Sequence, residues 1–148
     1  MFELSSSWRS ALLKIEQVLS WASLVAAIWF ILAYLIPAII RLRYPFELEW
    51  MEGGVVDHVR WLLAGQELYQ RPSLDFTAFI YPPFYFYLAA GLTKFFGIGF
   101  FPLRLISLLS TIGTSIFLFL LARHETKQGW RALLVPGLFL ATYPLSGS

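Results

Sequence analysis

The 148-residue chain is 58% hydrophobic and 14% charged, with 14 Phe, 7 Tyr, 6 Trp and no Cys, and its mean hydropathy is +0.67. Soluble domains carry about a quarter charged residues and disordered chains are poor in apolar ones, so both classes are excluded and an integral membrane protein is left. The net charge of +2 arises from 11 basic and 9 acidic side chains scattered along the chain, so no basic stripe exists to follow nucleic acid, and no thiol chemistry is possible.

Four segments carry no charge: 18–40, 76–93, 105–122 and 132–148. A helix rises about 1.5 Å per residue and a bilayer core is about 30 Å thick, so roughly 20 apolar residues cross it. Residues 1–17 are read as an N-terminal tail and 18–40 as the first transmembrane helix. That run is too long for a secretory signal, and Pro37-Ala38-Ile39-Ile40-Arg41 is no small-residue cleavage site.

The second predicted span, 76–97, runs past Lys94, whose ammonium snorkels to an interface. It contains Tyr81-Pro82-Pro83-Phe84-Tyr85-Phe86-Tyr87, prolines suited to a first helical turn and tyrosines suited to a membrane boundary. The third, 103–122, carries Ser107, Thr111 and Ser115 as a small-residue stripe for close helix contact. The fourth, 132–148, holds Pro136, Gly137 and Pro144 and is expected to be incomplete. The expected fold is an all-α integral membrane bundle of about four transmembrane helices forming one partial domain. Alternating spans would put four basic residues on the N-terminal side and seven with the first loop, which taken literally makes that loop cytoplasmic.

The one polar segment able to hold a site is the loop 41–75, with four basic and six acidic side chains. Val55, Val56, Val59, Leu62 and Leu63 share one helical face, which predicts a surface helix over about 52–64, ended by Gly65 and either laid on the membrane by its apolar side or packed as a cover on the bundle. Before it, Glu47, Glu49 and Glu52 crowd together. Glu49 and Glu52, one turn apart at a helix start, are candidates for a general base that deprotonates a hydroxyl acceptor. His58, flanking the apolar face beside Asp57, is a candidate for proton transfer or substrate contact. No second His accompanies it, so a His-based metal site is not expected; Glu49, Glu52 and Asp57 could still hold a divalent cation. Gly53-Gly54 and Gly97-Ile98-Gly99 match no nucleotide loop; the first pair suits close backbone approach or a bend into the helix.

In order, Glu49-Trp50-Met51-Glu52-Gly53-Gly54, the stretch Arg60 to Tyr69, Ile80-Tyr81-Pro82-Pro83-Phe84-Tyr85, Phe95-Phe96-Gly97 and Phe101-Pro102-Leu103-Arg104-Leu105 follow the long first span. Over about residues 18–145 this succession resembles the N-terminal part of GT-C glycosyltransferases, specifically the family 39 and protein-mannosyltransferase-like group that includes aminoarabinose transferases. The resemblance implies a multi-pass enzyme, expected in the bacterial plasma membrane, that moves a sugar from a polyprenyl-phosphate carrier to an acceptor on the external side, usually with inversion. It implies that loop one is external, against the charge count. It places the Glu of the family's Asp-Glu pair on Glu52, with Met51 at the Asp position, so that Glu52 or Glu49 serves as base and Asp57, His58 and Tyr81 as substrate contacts. Tyr81 stands where many members have Lys, and Arg104 matches a family Arg. Family enzymes are much longer, so the expectation is an N-terminal portion, inactive alone and completed by a missing C-terminal part or a membrane partner. The alternative is a small multi-pass subunit or structural protein without catalytic activity.

Overall fold

The computed structural model describes residues 6–73, 77–127 and 129–145, all helix, turn or loop. The elements are α1 (Ser6–Arg41), α2 (Glu52–Leu63), α3 (Pro83–Phe96), α4 (Phe100–Thr126), a 3-10 turn at Arg131–Leu133, and α5 (Leu134–Leu145). Residues 146–148 of the expected fourth span, 74–76 at the start of the second and 1–5 of the tail lie outside the described residues.

Two helices, Arg9–Arg41 and Phe100–Thr126, are long and apolar enough to cross a membrane, where four were expected. Only 6% and 11% of their most apolar windows are buried, the opposite of a soluble core helix. The second expected span falls short because α3 starts only at Pro83. The backbone at Pro82 is extended (φ −54°, ψ 137°), as a residue before proline must be, and the 14 residues of α3 then rise only about 21 Å. The apolar helical stretch Arg131–Leu145 is similarly short. The N-terminal tail is not separate from the first span, for α1 is helical from Ser6.

The chain divides into two units, one of residues up to Ala38 with those from Thr111, the other Ile39–Ser110. In the first, α5 runs parallel to α1. Trp130 stacks near Trp21 and Tyr143 packs on Tyr34, with ring centroids 6.4 and 4.7 Å apart. Between them, a Cβ on Gly137 would stand 2.5 Å from that of Ala27, so this glycine lets two backbones meet. Thr111 and Ser115 line an apolar cavity of about 230 Å³ with Ile31, Leu35, Pro136 and Leu140.

In the second unit, Val56 and Val59 of α2 pack with Ala89 and Ala90 of α3 and with Leu103 and Ile106 of α4. Val56 and Val59 on the apolar face of α2 are thus buried by protein, as a packing helix requires, while Leu63 stays 37% exposed. Its end is a Schellman turn: Gln66 N–H donates to Trp61 C=O and Gly65 N–H to Leu62 C=O, with Gly65 at φ +77°.

Candidate functional site

The acidic segment is held by one arginine. Arg104, the fifth residue of α4, has five N–H donors and engages all of them. Its Nε donates to Glu52 Oε1 (3.0 Å), and Nη2 donates to Glu52 Oε2 (2.6 Å) and to the Phe46 carbonyl (2.7 Å). Nη1 donates to the carbonyls of Arg41 (2.9 Å) and Tyr44 (2.7 Å). The guanidinium also lies over the Phe100 ring, 5.0 Å from its centroid. The end of α1, the acidic loop and the start of α2 therefore converge on the start of α4. The Arg104 and Glu52 side chains are only 9% and 19% exposed, so this is a nearly buried bidentate pair.

Glu52 opens α2, where the positive end of the helix dipole favours its charge. Its Oε2 also accepts the Leu48 N–H at 2.8 Å. Burial pushes the Glu52 pKa up, but the Arg104 hydrogen bonds and charge and the Leu48 amide outweigh that and hold it below its ordinary 4.5. A carboxylate so engaged is a weak proton acceptor. Glu49, three residues earlier, is exposed, and its carboxylate makes no hydrogen bond or ion pair among the described residues.

Glu49 lines an open groove of about 480 Å³. Tyr81 and Tyr85 add hydroxyl groups to it, and Met51, Val55 and Phe84 supply apolar wall. The Tyr81 hydroxyl donates to Met51 Sδ at 3.3 Å, and its carbonyl accepts from the Tyr69 hydroxyl. Of the five residues singled out in the sequence, Glu49 and Tyr81 thus share one groove, and Glu52 is tied to Arg104.

The other two lie elsewhere. Asp57 pairs with Arg60 at 2.8 Å in an exposed i, i+3 contact of the kind worth little in water. His58, which flanks the apolar face of α2, is buried, 3% exposed. A carbonyl only accepts and an amide only donates, so Nδ1–H donates to Gly54 C=O (2.6 Å) and Nε2 accepts from Phe79 N–H (2.8 Å). The imidazole stacks between Phe79 and Phe86, at 4.4 and 5.2 Å. It pins the loop before Pro82 onto α2, and Gly54 is what admits Phe79: a Cβ there would meet its ring at 2.5 Å.

Among the described residues no three His, Cys, Asp or Glu gather as a metal site. Glu52 and Asp57 spend their carboxylates on arginines, so the trio considered for a divalent cation does not converge. The partners of Arg104 and the place of Phe79 against His58 are not legible in the sequence. A lone Arg at the start of a helix otherwise free of charge until Arg123 was the available signal, since such a residue needs a partner. No protein-family model, curated protein or solved structure matches the chain.

Proposed function

We propose that the chain forms the first-loop part of a multi-pass membrane glycosyltransferase of the GT-C type, in the bacterial plasma membrane. In this reading α1 and α4 cross the bilayer and residues 42–99 stand together on the external side. The groove beside Glu49 receives the reacting ends of a polyprenyl-phosphate sugar and a hydroxyl acceptor. The observation that carries the reading is the Arg104 clamp, which fixes the acidic segment rigidly beside that groove. Rigid support of this kind is what a positioned base requires.

Two further features support it. Phe84, Tyr87 and Phe95 are exposed on α3, a short helix whose opposite side packs on α2, as suits a helix lying in the headgroup layer. With α1 and α4 as the spans, five basic residues (Arg9, Lys14, Arg123, Lys127, Arg131) stand on the N-terminal side. Six stand on the other, one of them Arg104 in its ion pair. The seven-to-four imbalance that argued for a cytoplasmic loop is gone.

The chemistry assigned to the groove is a single displacement. The acceptor oxygen attacks the sugar's anomeric carbon and passes its proton to the Glu49 carboxylate. The bond from that carbon to the carrier phosphate oxygen breaks, and polyprenyl phosphate leaves with the electron pair, inverting the centre. Glu52 positions the segment and takes no proton.

Diazirine-tagged undecaprenyl phosphate, irradiated in membranes containing the protein, tests this. Crosslinks are expected on residues 49–55 and 81–86. Crosslinks confined to other segments, or the same pattern with tagged undecaprenol lacking the phosphate, would contradict the reading.

A further inference from the structure

A second cavity, of about 690 Å³, lies at the other end of α1, within the unit of residues up to Ala38 and from Thr111. Gln17, Trp21 and Leu24 line it from one face of α1, spaced i, i+4 and i+7, and Trp130 and Arg131 complete it. Its chemistry is graded along the helix. Glu16 and Gln17 stand at the polar end of α1, where the charged residues Lys14 and Arg9 also lie, whereas Trp21 and Leu24 are inside the charge-free run 18–40. That is the profile of a headgroup above an acyl chain.

The polar end is basic. Along the described residues 9–17 and 123–131, five basic side chains (Arg9, Lys14, Arg123, Lys127 and Arg131) stand against two acids, Glu16 and Glu125, and of these Arg131 and Glu16 line the cavity. Arg131 is incompletely partnered. Nη2 stands 3.5 Å from Glu16 Oε1, a long contact, and the guanidinium lies over the Trp130 ring, 5.1 Å from its centroid. With the side chain 42% exposed, the guanidinium is open to a phosphate oxygen, which would supply a charge-assisted acceptor. The Trp21 and Trp130 rings, nearly parallel at 13°, mark the level of a membrane interface, where tryptophan collects.

We infer that this cavity binds an anionic phospholipid, its phosphate on Arg131 and one acyl chain along Trp21 and Leu24. The inference needs α1 and α4 in a bilayer and is independent of the glycosyltransferase reading. It commits to a lipid over a free anion because most of the cavity wall is apolar and Trp21 and Leu24 in it belong to the spanning run.

Native mass spectrometry of the full chain in detergent, with phosphatidylglycerol or phosphatidylcholine added, tests it. A basic residue at the surface of an anionic bilayer is worth about 1 kcal/mol, so phosphatidylglycerol should be retained roughly fivefold over phosphatidylcholine. Arg131→Gln should remove that preference, and Arg60→Gln on α2 should not. Phosphatidylglycerol should also raise the thermal unfolding midpoint of the wild type and leave that of Arg131→Gln unmoved, a readout that exposes any misfolded variant. Equal retention of the two lipids, an undiminished preference in Arg131→Gln, or displacement of the lipid by millimolar inorganic phosphate would each overturn the assignment.

Discussion

Arg104 and Glu52 are charges taken largely out of water, and their worth lies in the geometry they fix. Removing one partner strands the other, a loss of about 3–5 kcal/mol for buried pairs. Arg104→Gln and Glu52→Gln are each expected to destabilise the protein on that scale, and the double variant by much less than their sum; chemical unfolding in detergent measures it. The pH dependence follows from the lowered Glu52 pKa. A carboxylate more acidic in the folded than in the unfolded chain contributes stability in full above its unfolded value. That stability is lost as pH falls through the folded value. Unfolding midpoints should therefore drop on acidification below 4.5, and the drop should be smaller in Glu52→Gln.

Glu49 separates from Glu52 at this scale. The proposed function makes Glu49 the general base, and loss of such a base costs about 10²–10⁴-fold in rate, so Glu49→Gln in the complete enzyme should lower sugar transfer in native membranes by that much without moving the unfolding midpoint. Asp57→Asn, at an exposed surface pair, should leave transfer unchanged. His58→Ala removes the acceptor of the Phe79 amide and should cost about 1–3 kcal/mol of stability, read by the same unfolding measurement.

Among the elements, α2 was legible because its period-3.6 pattern, its glutamates at the start and Gly65 at the end all agree. What covers its apolar face was not legible, since periodicity shows that a face is apolar and says nothing of its partner. The expected second span failed for a related reason. Counting uncharged residues from Phe76 merged an extended stretch with a helix, although Pro82-Pro83 already marked the boundary between them. Gly54 likewise read as a place for close approach, but only the fold identifies Phe79 as what approaches. Gly54→Val should unseat that ring, exposing the His58 region to faster amide hydrogen exchange at Phe79 while leaving the α1–α5 contact at Gly137 intact.

For the whole molecule, the membrane class was legible in composition, whereas the number of crossings depended on where helices begin. The Glu52–Arg104 pair, 52 residues apart, has no local signature, and it is the contact that brings the end of α1 to the start of α4. The proposed function makes α1 and α4 the crossings that bracket residues 42–99 and puts the whole segment, α3 included, on one side of the membrane with the Glu49 groove. The absence of native cysteine makes the test direct. Single Glu67→Cys, Ile98→Cys and Glu125→Cys variants would be labelled in intact cells with a membrane-impermeant maleimide. Labelling of positions 67 and 98 with protection of 125 is predicted. Opposite labelling of 67 and 98 would mean that α3 crosses the membrane, and would contradict the account.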